Sequence, residues 1–223
     1  MPVNRTSARE LALVLVGFAL LTAGMTFPLA LHPGTLGYQV NYGDAQFSVW
    51  NVAWVARTLV VDPLHVLDAN IFYPHRWTLS YSEMNLGAGA LAAPVYWATR
   101  NVYTSHNFVV LLSFVLSATA MYYLARYLVA DRRAAAVAAI AFAYTPHVFS
   151  HLPHIQLLMT AGLPLSLLAF HRLADRPSAA RGAALGAAMA MQAFFCAYYS
   201  VFAMLMVGYA VLFTAAWRRL WRN

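Results

Sequence analysis

The chain has 223 residues, 62% of them apolar and only 9% charged, with a formal net charge of +7. An average soluble domain carries about 25% charged residues, so an ordinary water-soluble globule is excluded. All fourteen basic residues are arginine, and they collect beside apolar runs, which ties the positive charge to membrane topology and sets a nucleic-acid partner aside.

In chain order, the first apolar run covers residues 11–31, behind Arg5 and Arg9. It is longer than a signal-peptide core and no small-residue cleavage site follows, so it reads as a retained signal anchor. Next come about 75 residues, 32–106, far more than the roughly 12–15 of an ordinary loop. They hold Trp50, Trp54, Trp77 and Trp97, four of the six tryptophans. Within them Gly43-Asp44 and Asp62-Pro63 are start and stop signals for a helix. Phe47, Trp50, Trp54 and Val61 share one of its faces, as in an interfacial helix lying on a membrane. The stretch "SEMNLGAGALAAPVYWATRN" predicts a second helix leading into the next span.

Further spans are predicted at 107–128, 134–149, 155–170, 182–197 and 201–217. A crossing takes about 17–25 residues, so the third, fourth and fifth spans are short. The predicted fold is all-α: a polytopic transmembrane bundle of about six spans, with a helical, Trp-rich first extracytoplasmic loop. One integral membrane domain covers 1–223, with 1–10 and 218–223 cytoplasmic, 32–106 outside and 107–217 holding the remaining helices. With the N-terminus inside, eleven arginines and three acidic residues give +8 on the cytoplasmic side, and three arginines against four acids give −1 outside. Gly182, Gly186 and Ala190 repeat at four-residue spacing, the pattern of close helix packing. Cys196 is alone, which rules out an internal disulfide and a cysteine-based metal site.

Polar residues on the outer side each have a structural reading beside a functional one. Asp44 stands where a helix N-cap would, and a carboxylate can cap and still react. Glu83 falls in a first helical turn, where the dipole favours an acid. Asp62 and Asp68 look like turn residues, and Arg57 and Arg100 like snorkelling anchors. Arg76, in "YPHRW", is least explained by anchoring. His147, His151 and His154 lie within eight residues at a break between apolar runs. Wet interfacial imidazoles would explain them; so would metal or phosphate contact, together with Gln156.

The ordered set "GDAQ", "ANIFYPHRWTLSYSEMNLGAGALAAPVY" and "HLPHIQLLMTAGLPLSLLAF" resembles the N-terminal part of bacterial GT-C-type membrane glycosyltransferases. The likeness runs from about Phe27 to Tyr199 and its motifs are moderately specific. It implies transfer of a sugar from a polyprenyl-phosphate carrier to a glycan, lipid or protein acceptor outside the bacterial cytoplasmic (inner) membrane. It assigns Asp44 as catalytic carboxylate, with Glu83 the next acid. Arg76, Tyr81, His154 and Gln156 become candidates for substrate and phosphate binding. Where many such enzymes carry a second acid, between the third and fourth spans, this chain has His147, His151 and His154. That departure leaves open whether a divalent metal, Mg or Mn, is used; those three histidines are its candidate ligands. Such enzymes have more spans than this chain supplies, so it reads as a portion of one, a split subunit or a degenerate relative. The rival readings are a non-catalytic scaffold or metal-binding subunit, and a lipid or sugar transporter built around Thr160, Gln192 and the Gly162/Pro164 break.

Overall fold

A computed structural model describes residues 7–35 and 42–218. The described residues form helices joined by turns, with no strand among them. Helix α1 (Ala8–Met25) starts at Ser7, whose hydroxyl accepts from the Glu10 amide at 3.1 Å. Helix α2 (Tyr42–Val61) ends before Asp62-Pro63, as its stop signal predicts. Two 3₁₀ turns, Pro63–His65 and Thr78–Tyr81, lead to α3 (Leu86–Thr99). That helix does not run on into the next one. Arg100 takes a left-handed conformation, and Asn101 starts α4 (Val102–Val129) by accepting from the Thr104 amide at 2.9 Å.

Beyond α4, Asp131 caps α5 (Arg132–Ala143). Pro146 cannot continue α5; it opens the short α6 (Pro146–Ser150) instead. Then come α7 (Ile155–Leu158), α8 (Gly162–Asp175), α9 (Ala179–Phe195) and α10 (Ala197–Arg218). Cys196 alone separates the last two, extended and buried.

The centre is α4, which packs against α1, α2, α3, α5, α7 and α8. Its Phe114 is 1% exposed and stacks on Tyr144 at 5.5 Å, with Phe149 at 5.3 Å. Ala135, Ala139 and Ala143 bring α5 close through small side chains at four-residue spacing. Small residues do not govern every contact as expected. A Cβ added at Gly182 or Gly186 would meet nothing within 4 Å, so both glycines lie open rather than at a helix crossing.

Among the described residues, four stretches are long and apolar enough to cross a membrane: Ala8–Met25, Val102–Val129, Ile155–Asp175 and Ala197–Trp217. Helices α5 and α9, with 12 and 17 residues, are shorter than any of these. Peripheral helices expose large apolar side chains, such as Leu20 at 70% and Leu212 at 71%. Water would not tolerate such faces on a monomer, whereas lipid suits them. This is a multi-pass membrane protein.

One span is interrupted. Between α7 and α8 the backbone leaves the helix at Met159 and Thr160. Its carbonyls are met by side chains from three other helices. Tyr199 of α10 donates to Leu157 O at 3.2 Å, Ser117 of α4 to Leu158 O at 3.5 Å, and Gln192 of α9 to Met159 O at 2.9 Å. Irregular backbone inside hydrocarbon survives only where protein satisfies it in this way.

Candidate functional site

Two of the residues singled out by sequence meet. Asp44, in the first turn of α2, lies 3.3 Å from Nε2 of His154, which immediately precedes α7. The approach is fixed from both sides. Leu152, Ile155 and Leu158 bury the histidine turn, and the carbonyl braces above hold the segment that follows it. One turn along α2 from Asp44, Ser48 bonds His106 of α4 at 3.0 Å, both of them buried. This latch escapes a reading of the sequence. The spacing of Asp44 and Ser48, one turn apart, is its one visible sign.

The imidazole is oriented asymmetrically. Its Nδ1 is buried with no hydrogen-bond partner among the described residues, while Nε2 faces the carboxylate. A buried lone pair is easier to leave unmet than a buried N–H, so the geometry suits the tautomer with its hydrogen on Nε2. The other ring nitrogen cannot reach a substrate. Asp44, half-exposed, is the outward-facing group, and His154 positions it. His151 and His147 extend a row of rings outward, with centroids 6.1 and 4.2 Å apart in turn. His151 is anchored by an Nδ1 contact to the His147 carbonyl at 2.7 Å.

Glu83 does other work. Its carboxylate accepts from the Ala197 backbone amide at 3.4 Å, at the N-terminus of α10, and its backbone carbonyl accepts from the side-chain amide of Asn51 at 2.9 Å. It joins α2 to α10 instead of pairing with Asp44. Arg76 is 74% exposed and reaches Asp68 at 3.5 Å, while the same carboxylate accepts from the Trp77 amide at 2.7 Å. Tyr81 stacks on Phe72 at 5.8 Å. Among the described residues no hydrogen bond or ion pair links Arg76 or Tyr81 to the histidines. Gln156 is half-buried in α7, two residues past His154.

His147, His151 and His154 are the candidate metal ligands. Among the described residues, no group of three or more His, Cys, Asp or Glu is arranged to hold a metal ion. The three rings stand in a row, with one nitrogen of His151 already engaged. Thr160 and Gln192, the polar residues a transporter would need, brace the chain internally, on Ser117 at 3.0 Å and Met159 O at 2.9 Å.

The tryptophans of α2 face elsewhere. Trp50 and Trp54 stack at 6.4 Å and line a groove of about 450 Å³ with Gln46, Arg57, Tyr96 and Tyr103. At 100° per residue this row lies across α2 from Ser48 and Asn51, so it is separate from the Asp44 pair. Compared with known proteins, the chain matches no family model, no curated protein and no solved structure.

Proposed function

We propose that the chain is a GT-C-type membrane glycosyltransferase, or the N-terminal portion of one, that transfers a sugar from a polyprenyl-phosphate carrier. The observation that carries this reading is the 3.3 Å pairing of Asp44 with His154. It joins the early acidic motif to the histidine turn, two of the three stretches in which the sequence resembles that class. In the reaction, the acceptor hydroxyl oxygen attacks the anomeric carbon and its proton passes to the Asp44 carboxylate. The bond from that carbon to the phosphate oxygen breaks, and the lipid phosphate leaves with the electron pair. The configuration inverts. His154 holds the carboxylate in place, and the exposed ring of His147 offers an N–H donor for the phosphate.

The test is a transfer assay in proteoliposomes, with a labelled polyprenyl-phosphate sugar and membrane extract as acceptor source. Label should leave the carrier with wild-type protein. Carrier consumption equal to that of protein-free vesicles would overturn the reading.

The same reading places six crossings in a bacterial cytoplasmic membrane, with both termini inside and Asp44 outside. Support comes from charge: Arg126, Arg132, Arg172 and Arg181 gather around Glu10, Tyr127 and the turns at one end of the bundle. Accordingly, Tyr81→Cys in a Cys196→Ala background, 60% exposed, should react with an impermeant thiol reagent in intact cells. Arg133→Cys should react only after lysis. The reverse pattern would invert the topology.

A further inference from the structure

A second cavity lies at the opposite end of the molecule from Asp44. It has a volume of about 630 Å³ and runs between α1 and α5 over α4. Its sides are Leu13, Gly17 and Leu21 from α1 and Ala136 and Ile140 from α5, with Phe18 and Tyr122 at its base. From Glu10 to Leu21 it extends about 16 Å along α1 at 1.5 Å per residue. That matches the roughly 15 Å of hydrocarbon in one leaflet. Space in front of Gly17 is open, with nothing within 4 Å of where a Cβ would be.

The mouth is polar and positive. Glu10 is neutralised there, with Arg132 at 3.1 Å, Arg126 at 3.6 Å and the Tyr122 hydroxyl at 2.9 Å. Exposed Arg9 and Arg133 have no ion pair among the described residues. A polar recess of about 350 Å³, lined by Arg126, Asp131, Arg132 and Arg133, adjoins the apolar groove at Arg132. An apolar slot one leaflet deep, ending in surplus arginine, fits one kind of occupant.

We propose that this groove is a binding site for an anionic diacyl phospholipid. One acyl chain lies along Gly17, and the phosphate sits at headgroup depth against Arg9, Arg132 and Arg133. Arginine suits a phosphate because its fork of donors matches the oxygens. This site is independent of the transfer reaction.

The experiment is native mass spectrometry of the detergent-purified protein, incubated with phosphatidylglycerol or with phosphatidylcholine of the same chains. Wild type should retain the anionic lipid by about tenfold over the zwitterionic one, because the choline cation faces the same arginines and offsets their attraction for its phosphate. Gly17→Leu fills the slot and should abolish retention. Gly24→Leu, also with open space at its Cβ but outside the groove, should not. The pair Arg9→Gln and Arg133→Gln should remove the preference while leaving phosphatidylcholine retention in place. Equal retention of the two lipids by wild type, or unchanged retention by Gly17→Leu, would overturn the site. A dimeric species that Gly17→Leu dissolves would also overturn it, by giving the groove to a second copy of the chain.

Discussion

Asp44→Asn should leave the protein folded and lower sugar transfer by about 10²–10⁴, the usual worth of a general base. The substitution preserves size, and asparagine retains a side-chain oxygen that can accept from His154 Nε2, 3.3 Å from the carboxylate in wild type. It removes only basicity, plus a modest dipole contribution of about 0.3–1 kcal/mol at the first turn of α2. A purely structural Asp44 therefore predicts near-normal melting and near-normal transfer. A catalytic Asp44 predicts near-normal melting with transfer almost gone. His154→Gln separates positioning from chemistry, because its amide can still donate toward Asp44 and should retain more activity than His154→Ala. Full transfer by a well-folded Asp44→Asn protein would discard Asp44 as the base. Glu83→Gln is the matching control. Its carboxylate sits on the start of α10, so the change should show as a lowered melting temperature.

The largest effect on stability is expected at Gly89 of α3. A Cβ there would stand 2.3 Å from both Cβ and Cγ1 of Val55, a separation real atoms do not adopt. Val55 belongs to α2 and is fully buried, so neither helix can give way without disturbing the core that carries Asp44. Gly89→Ala should cost about 1–3 kcal/mol, as overpacking does. Adding Val55→Gly should relieve part of that strain, although glycine in a helix itself costs about 1 kcal/mol. Val55→Ala should not rescue, since the clashing Cβ remains. Melting of the detergent-solubilised protein reads all three. Wild-type melting of Gly89→Ala would mean that α3 does not seat on α2 at Val55.

Local signals were legible in the sequence. Asp62-Pro63 closes α2, because proline cannot continue the helix. The aromatic row of Phe47, Trp50 and Trp54 follows from helical spacing, and its rings stack in sequence at 5.5 and 6.4 Å. What the sequence hides depends on where other helices cross. The span predicted from residue 107 starts at Val102, because Asn101 caps it and carries His106 into the helix. The Ser48–His106 latch joins residues far apart in sequence, and no pattern in either segment names its partner. Glycine spacing misleads for the same reason. The regular pair Gly182 and Gly186 meets open space, while Gly87, Gly89 and Gly162, which follow no such repeat, are the crowded ones. For the site, sequence supplies Asp44 and His154 separately; only the fold gives their distance and the burial of Nδ1.

The interrupted span between α7 and α8 has a consequence for biogenesis. Two of its three braces, Gln192 and Tyr199, lie in helices synthesised after it. While a ribosome has delivered the chain only as far as α8, the Leu157 and Met159 carbonyls have no internal partner and must keep water or another protein nearby. The stretch that follows the histidine turn is therefore completed only when α9 and α10 arrive, so the interrupted span closes from its C-terminal side.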